Sequence, residues 1–94
     1  MHVIVWRFLT TDPAEFERHY CPDGSWAQLF RRDPEFVKTD LLLEGDTYLT
    51  LDWWTSAAAY DAFRKRHADD YAKLDAICEA LTSFEEKVGE FTCR

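Results

Sequence analysis

Arg7, Asp40, Asp52 and His67 are the side chains in this 94-residue sequence best suited to chemistry. Arg7 and Asp52 fall in two segments that read as strands. Sharing a face, they would form a charged anchor for a phenolic or carboxylate substrate, with Asp52 as base. The same proximity would also make a purely structural inward ion pair. Losing one partner of a buried pair costs roughly 3–5 kcal/mol, so both readings hold the two residues together. Asp40, on a third strand segment, joins the same face. His67 lies on the apolar stripe of a long helical segment. An imidazole there can act as a base near neutral pH, ligate haem iron, or pack and donate to a backbone carbonyl. His19, before Tyr20, either lines a pocket mouth or packs within its helix, and His2 is uninformative. Four tryptophans are many for this length. Trp26 and Trp54 suit the wall of a pocket for flat organic molecules, whereas Trp6 and Trp53 read as core.

Other chemistries find no pattern. No spacing supports a Ser-His-Asp or Cys-His arrangement, and no GxGxxG or GxxxxGK loop occurs. Cys21, Cys78 and Cys93 are odd in number and form no CxxC or CxxH. They read as free thiols in a reducing compartment, with the cytoplasm the default. A zinc site would need ligands gathered from distant positions, so neither metal nor organic cofactor is expected. The net charge is −7, the acids run from Asp12 to Glu90, and no basic stripe exists. Nucleic acid and anionic membranes are therefore not expected partners. No apolar run is long enough to span a bilayer, and the N-terminus does not read as a signal peptide.

The positioning elements follow from periodicity. Residues 2–10 read as a strand that is apolar on both faces. Asp12-Pro13-Ala14-Glu15 opens a helix that Pro22-Asp23-Gly24 ends, and Ser25-Trp26-Ala27-Gln28 reads as a second capping box. Residues 36–44 and 48–54 form a hairpin around Gly45-Asp46. Ser56 caps a segment whose apolar stripe runs Tyr60, Phe63, His67, Tyr71, Leu74, Cys78 and Leu81. An unbroken helix over 56–81 would be about 39 Å long, too long for its strands, so a break is expected between Arg66 and Asp70, recapped by Asp69. Residues 83–93 form a last strand, with Gly89 marking a bulge.

The order predicts one domain over 1–94 of α+β class: a ferredoxin-like βαββαβ sandwich. Both helical regions cover one face of a four-stranded antiparallel sheet of order 4-1-3-2, with strands 1 and 3 central and expected to be parallel. The other face, left bare, predicts a homodimer in which two such sheets pair into an α/β barrel. Strand parity assigns Leu49, Leu51 and Trp53 to the helices. It turns Tyr48, Thr50, Asp52 and Trp54 toward the barrel interior, with Val3, Val5, Arg7 and Leu9 and with Lys38, Asp40 and Leu42.

These segments also carry a family resemblance. Val3-Ile4-Val5-Trp6-Arg7-Phe8, Tyr20-x-x-Asp23-Gly24-x-Trp26, and Tyr48-Leu49-Thr50-Leu51-Asp52-x-Trp54 followed by Ser56-x-x-x-Tyr60-x-x-Phe63 resemble antibiotic-biosynthesis-monooxygenase-like domains of the dimeric α/β-barrel superfamily. Thr39-x-Leu41-Leu42, Tyr71-x-x-Leu74-Asp75 and the stretch from Leu81 to Phe91 extend the resemblance over nearly the whole chain. It implies a dimeric α/β barrel and a cofactor-independent monooxygenase acting on a small aromatic or polyketide-like substrate. In that reading Asp52 or His67 removes a proton and Arg7 steadies negative charge. Tyr48, Trp54 and Trp26 hold the ring, with Asp40 and His19 as further substrate-binding candidates. The alternatives are a non-catalytic ligand-binding or accessory stress protein, and a haem degrader acting through His67. A closed cavity favours an enzyme; a sealed interface favours the accessory role.

Overall fold

A computed structural model describes Met1 to Arg94. The elements are β1 (His2–Thr10), α1 (Pro13–Tyr20), α2 (Ser25–Phe30), β2 (Phe36–Glu44), β3 (Thr47–Trp54), α3 (Ala57–Arg66), α4 (Ala68–Glu79) and β4 (Thr82–Thr92). The sheet order β2-β3-β1-β4 is the expected one. The central strands β1 and β3 run antiparallel rather than parallel. The reason is topological: the crossover through α1 and α2 brings β2 back parallel to β1, and the β2–β3 hairpin then reverses direction.

Local chemistry sets the boundaries. The Asp12 carboxylate accepts from the Glu15 N–H at 3.2 Å, with Pro13 in the first helical turn. Ser56 caps α3 by accepting from the Ala59 N–H at 3.1 Å. Ser25 does not cap α2; Gly24 takes that position, and the Ser25 hydroxyl meets His19 Nδ1 at 2.8 Å. Glycine is required there because a Cβ on Gly24 would lie 2.6 Å from the His19 carbonyl oxygen. The long helical segment breaks at His67, with φ −115° and ψ 31°. Asp69 and Asp70 sit in the first turn of α4 without a side-chain cap. Their charge still favours a helix N-terminus. β4 carries the expected bulge, where its register against β1 shifts between Val5↔Gly89 and Trp6↔Lys87.

The helices lie on one sheet face, over an aromatic core. Phe16 and Tyr20 stack at 4.2 Å, and Trp54, fully buried, meets Phe30 and Phe63 edge-on or tilted. The register decides which side chains join that core. Directly opposed residues of an antiparallel pair share a face. Ile4 opposes Asp52, Trp6 opposes Thr50 and Phe8 opposes Tyr48. Ile4, Phe8, Tyr48, Thr50 and Trp54 are all buried. The expected parity of β3 is therefore reversed: Tyr48, Thr50, Asp52 and Trp54 face the helices. Leu49, Leu51 and Trp53 face the open side with Val5, Arg7 and Leu9. On that side Leu9, Leu42, Phe84 and Phe91 remain exposed.

Candidate active site

A cavity of about 260 Å³ lies between the sheet and the helices. Its floor crosses the sheet from Thr39 on β2, through Thr50 and Asp52 on β3 and Trp6 on β1, to Glu85 on β4. Its helical walls include Trp26, Tyr60, Arg64, Tyr71 and Asp75. The volume falls just below the roughly 300–1,000 Å³ of typical ligand pockets, which restricts it to one compact ligand.

The floor carries two carboxyls, Glu85 at its β4 edge and Asp52 on central strand β3. The Asp52 Oδ1 accepts from the Thr39 hydroxyl at 2.7 Å. That bond favours the carboxylate, but removal from water outweighs it, and the pKa is pushed up to about 6. Such a carboxyl is ionised at neutral pH yet basic enough to take a proton. Trp26 is buried in the wall, and its indole N–H has no hydrogen-bond partner in the protein. Across the cavity, the Arg64 guanidinium lies over the Tyr71 ring at 3.9 Å and donates to the Tyr60 hydroxyl at 3.3 Å.

Asp52 and Trp26 are the two expected site residues that reach this cavity. Arg7 does not pair with Asp52: it opposes Leu49 on the other sheet face, 3.1 Å from Glu86 and 5.4 Å above the Phe84 ring. Asp40 is on that open face too, where it accepts from the Trp53 indole N–H at 2.9 Å and pairs with Lys38 at 3.3 Å. His67 occupies the α3–α4 junction against the Phe63 ring, outside the cavity lining. Trp54 is sealed in the core. Tyr48 is buried nearer α1, donating to Glu17 at 2.5 Å. His19 is buried between α1 and α2, holding Ser25.

Thr39, Tyr60, Arg64 and Tyr71 escape the reading of the sequence as site residues. The apolar stripe contains Tyr60 and Tyr71, and Arg64 follows Tyr60 by one helical turn, so the signal was present as spacing. No group of three or more His, Cys, Asp or Glu side chains is placed to hold a metal ion, and all three cysteines are free. No helix is long and apolar enough to cross a membrane.

Among solved structures, the chain is similar to SnoaB, a cofactor-independent oxygenase from Streptomyces nogalater. The two are 30% identical with a TM-score of 0.82, over 99% of this chain and 92% of that one. An antibiotic biosynthesis monooxygenase is similar in fold at 14% identity, with a TM-score of 0.66 over 100% of this chain and 99% of the other. No protein-family model and no curated protein matches the sequence. The chain belongs to the antibiotic biosynthesis monooxygenase family of the dimeric α/β-barrel superfamily.

Proposed function

We propose that this protein is a cofactor-independent oxygenase of a small aromatic, polyketide-like substrate, with Asp52 as its general base. The observation that carries the reading is the Asp52 carboxyl, displaced to a pKa of about 6 on the floor of an aromatic-walled cavity. The likeness to SnoaB, a cofactor-independent oxygenase, supports the class of reaction. An anthrone shows the chemistry. Asp52 takes a proton from the ring carbon, and the resulting carbanion gives an electron to O₂. The radical pair combines into a peroxide anion, which takes the proton back from Asp52, and the hydroperoxide so formed loses water to leave a quinone. One O₂ is consumed, one oxygen atom enters the product and the other leaves as water, and the substrate supplies all the electrons. The protein contributes the base, orientation by Trp6, Trp26 and Tyr60, and a site partly shielded from water.

The open sheet face supports a homodimer. Leu9, Leu42, Phe84 and Phe91 are exposed there beside Leu49, Leu51 and Trp53, and no helix of this chain covers them. Three free thiols agree with a reducing, cytoplasmic setting. The test of the chemistry is oxygen uptake with a panel of anthrones and hydroquinones, without added cofactor. Uptake should fall at least about a hundredfold in D52N and persist in H67A and R7A. Uptake unchanged in D52N, or lost in H67A alone, would transfer the role of base away from Asp52. No uptake across the panel would favour a binding or accessory role.

A further inference from the structure

The chain contains seven arginines. Arg7, Arg18, Arg31, Arg32 and Arg66 each stand within 3.2 Å of a carboxylate oxygen. Arg94 is the last residue. Arg64 has no carboxylate within ion-pair distance, although acids outnumber bases by seven. Its guanidinium is held instead by aromatic groups: the Tyr71 face at 3.9 Å, the Tyr60 ring at 5.9 Å and the Tyr60 hydroxyl at 3.3 Å. These contacts fix the planar cation and leave N–H donors unused. It is the one cation lining the cavity, which carboxyls of Asp52, Asp75 and Glu85 also line. Burial, then Asp75 and Glu79, push the Glu85 pKa up, as expected where negative charge is already crowded.

We propose that Arg64 is the anion-holding residue of this site: it binds the ionised hydroxyl or enolate oxygen of an aromatic substrate. The inference rests on the reading of the cavity as an oxygenase site and supplies what Asp52 cannot. Once Asp52 has taken a proton, the substrate carries the negative charge, and the carboxyls of Asp75 and Glu85 still line its surroundings. A substrate anion is stable there only beside an opposing charge. Arg64 meets that need without being neutralised by a partner of its own. Tyr60 and Tyr71 serve as positioning residues, holding the guanidinium flat against the cavity.

Alizarin, a hydroxyanthraquinone whose colour reports ionisation and which does not consume O₂, is the probe. Its bound pKa is read by absorbance titration of the full-length protein, with circular dichroism checking that each variant folds. In the wild type the bound dye should ionise at least about one pH unit below the free dye, a tenfold preference for the anion. In R64Q the shift should vanish or reverse, because Asp52, Asp75 and Glu85 then act alone. R64K, which keeps the charge but loses the planar fork, should retain part of it, and D52N, which removes an opposing carboxylate, should retain or enlarge it. A bound pKa that is the same in wild type and R64Q would overturn the assignment, as would a wild-type protein that does not bind the dye. The two proposals fail separately. Loss of uptake in D52N with no effect of R64Q on the dye leaves the base and removes the anion site. An Arg64-dependent dye shift with full uptake in D52N does the reverse.

Discussion

Asp52 is held between two opposing influences. Thr39 donates to its carboxylate, while the cavity strips it of water, and the second effect prevails. A stability signature follows. The unfolded chain releases this proton near the ordinary value of 3.8, whereas the folded chain keeps it until about pH 6. The folded state therefore binds more protons across that window, and stability falls as pH rises through it. The full displacement corresponds to roughly 3 kcal/mol. Water in the open cavity screens part of it, so about 1–2 kcal/mol is expected. D52N should gain that amount over wild type in urea melts at pH 8, and the gain should shrink toward pH 4. Thr39→Val removes the one hydrogen bond that favours the carboxylate, so it should raise the Asp52 pKa further and move the window upward. Stability of D52N equal to wild type at pH 8 would show that Asp52 is well solvated.

At the scale of elements, the strands, the broken helix and the bulge at Gly89 were legible because each has a local cause. The break at His67 follows from helix length against sheet width, and the bulge from a glycine in a strand. The face of β3 was not legible. Both of its alternating rows are rich in apolar residues, so polarity could not choose between them. The polar row, Tyr48, Thr50 and Asp52, turned inward because its polar atoms have partners or cavity there. Thr39 satisfies Asp52, and Glu17 satisfies Tyr48. Those partners come from β2 and α1, and no spacing within β3 announces them. The same register separates Arg7 from Asp52, since Arg7 opposes Leu49. Tyr48 also ties β3 to α1, and the Glu17 carboxylate, then burial, push its pKa up to about 12. Tyr48→Phe keeps the ring against Phe16 and deletes only the hydroxyl. It should cost about 1 kcal/mol in chemical denaturation, with little effect on oxygen uptake. A large loss of uptake would mean that the α1–β3 tie shapes the cavity.

For the whole molecule, one layer of helices covers one face of the sheet. A chain of this size has little core to spare, and the uncovered face retains large apolar side chains. A second copy stacked on that face would bury them and make the sheet the middle of a larger core. Val5 lies on the open face of central strand β1. Val5→Glu would place a carboxylate between the two sheets without a partner. Sedimentation should show a dimer for wild type at micromolar concentration and a monomer for V5E. A monomeric wild type would refute the pairing. Fold class was readable because the order of elements permits few topologies, and the dimer expectation follows from counting layers. The cavity was harder to foresee, because all eight elements line it and each contributes only one or two residues.

The central claim is that a carboxyl tuned toward neutrality removes the substrate proton before oxygen reacts. Its most direct test is the pH dependence of kcat/KM for oxygen uptake on an anthrone, in wild type and D52N. The wild-type profile should rise through an apparent pKa near 6, where Asp52 becomes a carboxylate, and level off above it. D52N should lose the rise along with most of the rate. A rise that persists at the same pH in D52N would assign the base to another group and contradict the role given to Asp52.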